Sequence, residues 1–191
     1  MMFLFWSSMS FAQCTVTVTA PNGSETWCAG EIQDITWSSS NTSGDAKIEY
    51  STDGGSNWQE VISSTPDDGA YSWTIPDTPS SNCLVKICDV TDPSCWDQSN
   101  GSFTIKKITV TSPNGGEMWC EQATENITWL SQHTSGNVKI EYSTDNGSNW
   151  LEVIGSTPDD GTYEWTIPVI SSTTCLVKVC DELDTDCCDQ S

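Results

Sequence analysis

Tyr50-Ser51-Thr52-Asp53-Gly54-Gly55-Ser56-Asn57-Trp58 returns at positions 142–150 as Tyr-Ser-Thr-Asp-Asn-Gly-Ser-Asn-Trp, and that pair decides how the whole chain is read. Each copy reads as the end of one β-strand, a tight turn and the start of the next. Asp53 and Asp145 can accept backbone N–H bonds inside the turn, and Gly55 and Gly147 can adopt positive φ there. Trp58 and Trp150 then fold back over the turn. Working outward, position n matches position n + 92 without a gap from Val16/Ile108 to Ser99/Ser191, and 53 of these 84 pairs are identical. A duplication that regular predicts two units of one design.

The spacing of strand and turn signals within a unit predicts a small β-sandwich. Thr15 to Ala20 alternates Thr and Val before the turn at Pro21-Asn22-Gly23. Ile32 to Ser38 places Ile35 and Trp37 on one face. Asp45 to Ser51 turns Ala46, Ile48 and Tyr50 one way and Lys47 and Glu49 the other. The hairpin leads into Trp58 to Ile62, and Thr65-Pro66-Asp67-Asp68-Gly69 turns the chain again. Tyr71, Trp73 and Ile75 point inward until Pro76, with Cys83, Val85 and Ile87 on the inner side of the sixth strand. Phe103 and Ile105 close the unit on Ser102 to Ile105. The expected architecture is therefore all-β, two tandem immunoglobulin/fibronectin-III-like β-sandwiches at 14–105 and 106–191, with only Lys106 and Lys107 between the last strand of one and Ile108. By the register, the second unit lacks a strand matching Ser102 to Ile105. That leaves an open edge, read as a gene fragment, as a seat for a strand donated by another chain, or as a sandwich that tolerates six strands.

Residues 1–13 differ from the rest. They are apolar, and Ser10-Phe11-Ala12 suits cleavage after Ala12, so a secretory signal peptide is expected, short and without a basic start. No apolar run approaches the roughly 20 residues of a membrane span. With 27 acidic residues against 6 Lys and no Arg, the net charge is −21. Such a surface disfavours nucleic acid and anionic lipid as partners.

Ten cysteines behind an export signal point to disulfides. Cys28, Cys83, Cys88 and Cys95 recur as Cys120, Cys175, Cys180 and Cys187. The expected bridges are Cys28 to Cys83 and Cys88 to Cys95, repeated as Cys120 to Cys175 and Cys180 to Cys187. Cys14 and Cys188 are left over, to pair with each other or between molecules.

Catalytic chemistry finds little footing. His133 is the only histidine and corresponds to Asn41, so no shared His-based triad exists. Asp67-Asp68 and Asp159-Asp160 are adjacent turn residues rather than carboxylates facing across a cleft. The loops carrying Asp89, Asp92 and Asp97, and Asp181, Asp184, Asp186 and Asp189, are candidates for Ca²⁺, although neither has an EF-hand pattern. Trp27, Trp58 and Trp96 are candidates for stacking on sugars, whereas Trp37 and Trp73 belong to the core.

Several of these residues carry a resemblance. Pro21-Asn22-Gly23, Glu25-x-Trp27, Ile35-Thr36-Trp37, Lys47-Ile48-Glu49-Tyr50-Ser51-x-Asp53, Gly69-x-Tyr71-x-Trp73-x-Ile75-Pro76 and Cys83-Leu84-Val85-Lys86 resemble the domain of the Ser-Thr-rich, glycosylphosphatidylinositol-anchored membrane protein family. The same domain type stands at the N-terminus of yeast cell-wall-synthesis (KNH-like) proteins and recurs in secreted bacterial surface proteins. The resemblance implies an extracellular sandwich tied to cell walls or surfaces and no catalytic residues. Ser51 to Trp58 and Ser143 to Trp150 also resemble the Asp-box hairpin of β-propellers. The arginines with which a sialidase holds its substrate carboxylate are absent. The expected function is a structural spacer or adhesive segment of a secreted or cell-surface protein. The alternative is a carbohydrate-binding module that accompanies a catalytic domain elsewhere. Expected partners are cell-wall polysaccharide, other surface proteins, and another chain at the open edge of unit two.

Overall fold

The computed structural model describes residues 13–191, and the signal-peptide reading at 1–12 lies outside them. Unit one comprises β1 (Thr15–Ala20), β2 (Thr26–Cys28), β3 (Ile32–Ser40), β4 (Asp45–Ser51), β5 (Gln59–Pro66), β6 (Ala70–Thr74), β7 (Ser80–Asp89) and β8 (Trp96–Gln98). β9 (Phe103–Ser112) then leads into β10 (Thr124–Gln132), β11 (Asn137–Ser143), β12 (Leu151–Pro158), β13 (Thr162–Thr166), β14 (Leu176–Asp181) and β15 (Asp184–Gln190). The inward and outward alternation of the sequence sets both cores. Val18, Ile35, Trp37, Ile48, Trp73, Val85 and Phe103 pack between the sheets of unit one. Val110, Ile127, Trp129, Val138, Ile140, Val177 and Val179 do so in unit two.

The units share a strand. In unit one, β1-β3-β6 faces a sheet in which β9, β7, β4 and β5 lie in order. In unit two, β9-β10-β13 faces β12-β11-β14-β15. The first half of β9 is the closing strand of unit one, antiparallel to β7 at Cys83↔Phe103 and parallel to β2 at Trp27↔Ile105. Its second half opens unit two, paired with β10 from Gln132↔Lys107 to Thr128↔Ser112. Lys106 and Lys107 are thus interior residues of one ten-residue strand rather than a linker. The boundary expected at 105/106 falls inside that strand.

The expected disulfides do not form, and strand alternation explains why. Trp27 points into the core, so its neighbour Cys28 points out of it, whereas Cys83 is within the core cluster. The two therefore lie on opposite sides of the sheet. Cys28 sits beside Lys106 across the parallel β2–β9 ladder and bridges to Cys187 of unit two. Cys88 lies opposite Trp96, so Cys95, one residue earlier, faces the other way and bridges to Cys14. In unit two Cys188 stands in the Trp96 position, opposite Cys180, and bonds it. Cys83, Cys88, Cys120 and Cys175 remain thiols, the first two buried and the last two exposed. Cys14 and Cys188, taken as unmatched, are both bridged.

Candidate functional site

Five of the carboxylates offered as Ca²⁺ ligands, Asp89, Asp92, Asp97, Asp181 and Asp189, anchor backbone N–H groups, whereas Asp184 pairs with Lys106 and, among the described residues, no side-chain hydrogen bond ties down Asp186. Asp89 is buried and accepts from the Ser43 N–H and, at 2.9 Å, from its hydroxyl. The N–H groups of Thr91 and Asp92 donate to it at 2.8 Å each. Burial works against its ionisation, but these donors hold its pKa well below the ordinary carboxylate range. Asp181 repeats the arrangement with Ser135 at 2.9 and 2.6 Å and Leu183 N–H at 3.0 Å. Asp97 and Asp189 accept from the N–H of Val18 and Val110 at 2.9 and 2.7 Å, and Asp92 accepts from Ser94 N–H at 3.1 Å. With their oxygens committed in this way, these side chains gather into no shared site, and the one pair that does meet, Asp181 and Asp184, meets on the Lys106 ammonium. Among the described residues no cluster of three or more His, Cys, Asp or Glu is placed to hold a metal ion.

Asp67 and Asp159 are tied down likewise. Asp67 accepts from the Trp37 indole N–H at 2.5 Å and from the hydroxyls of Ser39 at 2.7 Å and Thr42 at 2.5 Å, while Asp159 takes the Trp129 indole at 2.6 Å and the Thr134 hydroxyl. In the repeated hairpin, Asp53 accepts from Ser51 hydroxyl and Asn57 N–H, both at 2.8 Å, and from the Asn57 side chain at 2.6 Å. These bonds, the Asn57 side chain first, pull its pKa down to about 2. Asp145 makes the same set with Ser143 and Asn149. Trp58 and Trp150 lie against Gly55 and Gly147, as the sequence suggests. His133 is exposed with φ 59°, where Asn41 has φ 57°.

One surface open to a ligand is the outer face of β4, β7 and β8 in unit one. Glu49 bridges Lys47 at 2.8 Å and Lys86 at 2.7 Å. The Lys86 ammonium lies 4.5 Å above the Trp58 ring. Burial disfavours the Glu49 charge, and the two lysines outweigh it to lower its pKa. A cleft of about 490 Å³ runs over this network, lined by Trp58, Lys86, Gln98 and Trp96. Trp96 is 52% exposed. Of the tryptophans considered for sugar stacking, Trp58 and Trp96 share this cleft, whereas Trp27 is buried against Phe103 and Trp73. Unit two repeats the ion pairs, Glu141 with Lys139 at 2.7 Å and Lys178 at 2.8 Å, and Lys178 lies 4.3 Å above Trp150. The bridged Cys188 replaces Trp96 there, so only unit one presents two tryptophans. The Lys-x-Glu and Leu-Val-Lys repeats were the sequence signal for this network.

A second feature joins the units. Lys106, the register counterpart of Cys14, is buried and paired with Asp181 at 3.3 Å and Asp184 at 2.7 Å. It adjoins the Cys28–Cys187 bridge, so covalent and ionic links cross between units at one place.

The chain matches no family model and no curated protein sequence. Among solved structures it is similar to the fibronectin(III)-like modules of Clostridium thermocellum CbhA, with 17% identity, 92% of this chain and 91% of that one covered, and a TM-score of 0.34. It is also similar to the IG1+IG2 pair of DIP-gamma, with 9% identity, 93% and 94% covered and a TM-score of 0.35. For the FN1-FN3 domains of chicken CNTN1 the values are 13%, 86% and 60%, and 0.31. At such TM-scores none of the three bears on function, and the sandwich class is read from the chain's own sheets.

Proposed function

We propose that the chain is a non-catalytic, extracellular β-sandwich module that serves as a stiff structural spacer or adhesive segment of a secreted or cell-surface protein. The observation that carries this reading is the joint between the units. One uninterrupted strand belongs to both sandwiches, and the Cys28–Cys187 bridge and the Lys106 ion pairs flank it. A flexible linker would let the two units reorient, whereas three such constraints at one place resist bending. Three disulfides fit an oxidising compartment, and the resemblance to Ser-Thr-rich anchored and KNH-like cell-wall proteins points to the same setting. The test is backbone ¹⁵N relaxation on the intact chain. Both units are expected to share one correlation time, and independent tumbling would refute the spacer reading.

One observation favours a second reading, a carbohydrate-binding module. The 490 Å³ cleft combines two tryptophans with charged and amide groups, the mixture of apolar platform and polar rim that suits a sugar ring. Titration with soluble cell-wall oligosaccharides should then quench tryptophan fluorescence. Trp96→Ala should weaken binding by about fivefold, roughly 1 kcal/mol. Binding unchanged by that substitution would remove this face from consideration.

A further inference from the structure

Sheet register lays out the floor of the cleft in unit one as two cross-strand rows. Trp96, Cys88 and Lys47 form one row, and Gln98, Lys86 and Glu49 form the next. The rows stand about 7 Å apart along the strands, and neighbours within a row about 5 Å apart. In the first row Trp96 is 52% exposed, beside the buried Cys88. The hairpin that carries this tryptophan is held firmly. The Cys14–Cys95 bridge ends one residue before it, and Asp89 ties down the turn through the N–H groups of Thr91 and Asp92. An exposed ring on a fixed backbone loses little freedom when a ligand lies on it.

The second row is a fixed set of donors and acceptors. Glu49 pairs with Lys86 at 2.7 Å and with Lys47 at 2.8 Å, and Lys47 also reaches Glu60 at 3.7 Å. Because the Lys86 ammonium already lies over the Trp58 ring, Trp58 buttresses the row and Trp96 supplies the open platform. The ammonium has donors, the carboxylate lone pairs and the Gln98 amide both to offer a ligand. The cleft holds no spare cation, since both of its lysines are paired and the chain has no Arg. Unit two carries the same row as Gln190, Lys178 and Glu141. There Cys188, bonded to Cys180, stands in the Trp96 position, so that unit has the polar half of the site without the platform.

We propose, resting on the carbohydrate-binding reading, that this cleft takes a neutral β-1,4-linked chain of pyranoses whose hydroxyls are all equatorial, with one ring stacked on Trp96 and its O2–O3 pair shared between Lys86 and Glu49. A flat indole needs a ring face that presents only C–H groups, and a ring with every substituent equatorial offers one. Vicinal equatorial hydroxyls stand about one hydrogen-bond length apart, as Lys86 Nζ and Glu49 Oε2 do at 2.7 Å. One hydroxyl can therefore accept from the ammonium while its neighbour donates to the carboxylate. In an equatorial 1,4-linked chain the O2–O3 pair is free on every ring, whereas a 1,3 linkage consumes O3 on all but one terminal ring. A uronate is opposed twice. It meets no unpaired cation in the cleft, and the net charge of −21 repels it.

The test titrates the intact chain with cellopentaose, laminaripentaose and the pentamer of cellouronic acid, in which every C6 is a carboxylate, and follows tryptophan fluorescence and ¹H–¹⁵N shifts. Cellopentaose is expected to bind once per chain, moving the signals of residues 47, 49, 86, 96 and 98 and leaving those of 139, 141, 178 and 190 in place. Trp96→Ala should weaken it about fivefold. Laminaripentaose should bind about fivefold more weakly than cellopentaose, since one ring in five keeps the free pair, and the oxidised pentamer at least about tenfold more weakly at low salt. Equal or tighter binding of laminaripentaose or of the oxidised pentamer would overturn the proposal while leaving a sugar-binding face. Shifts of equal size in both units would also overturn it, because unit two has no platform. No response to any of the three would overturn the proposal together with the carbohydrate reading of this face.

Discussion

At the scale of single residues, acidic side chains hold the loops of this protein in place. Asp89 secures Ser43, 46 residues earlier, together with its own turn. Its removal leaves several buried N–H groups unpaired at roughly 1–3 kcal/mol each, so Asp89→Ala should cost about 3 kcal/mol in urea unfolding. The pH dependence follows in sign. Asp53, Asp67, Asp89 and Asp181 have folded pKa values below their ordinary 3.8. Between about pH 4 and 2 the unfolded chain therefore binds more protons than the folded one, and stability falls as pH falls through that window while being fully present above it. Asp89→Asn should flatten the slope of urea midpoint against pH, and a wild-type midpoint independent of pH there would contradict the assignment. The density of carboxylates in these loops was legible in the sequence and suggested cation binding. Some of their donors lie in distant segments, Ser43 for Asp89, Ser135 for Asp181 and Val18 for Asp97, and no local pattern identified those.

At the scale of elements, alternation marks the seven main strands of unit one to within a few residues, because each has one face in a core. The short strands β2 and β8 escape that reading. Each is three residues long, too short to show a period, and each exists because a neighbouring strand lies beside it. The turn before β6 was legible through its glycine. Gly69 has φ +92°, and a Cβ there would stand 3.0 Å from the Trp37 carbonyl oxygen. That approach lets Trp37 N–H reach Gly69 C=O at 3.0 Å. Where backbone is ordinary, Gly→Ala stabilises by about 0.4–1 kcal/mol. Here Gly69→Ala should instead destabilise by about 1–2 kcal/mol, and a raised melting temperature would show that the strain is absent.

At the scale of the whole molecule, the repeat register gives the count of units but hides how they join, because the join lies where the copies differ. Position 106 holds Lys where position 14 holds Cys, so Cys187 has no partner in its own unit equivalent to the one Cys95 finds in Cys14. Cys28 takes that role from across the boundary, at a sequence separation of 159. Pairing by analogy within each unit cannot find such a bridge, and loop-closure entropy for that span is worth about 4–5 kcal/mol. The same arrangement sorts the thiols by accessibility. Burial raises the pKa of Cys83 and Cys88, which leaves them protonated as well as shielded, and thiolate is the species that alkylates. Brief treatment of the native chain with iodoacetamide should therefore label Cys120 and Cys175 and spare Cys83 and Cys88 until denaturant is added. Non-reducing peptide mapping of the same sample should link Cys28 to Cys187, Cys14 to Cys95 and Cys180 to Cys188. Recovery of a Cys28–Cys83 peptide, or labelling of Cys83 as fast as Cys120, would mean that the units are closed separately and that the joint depends on β9 and Lys106 alone.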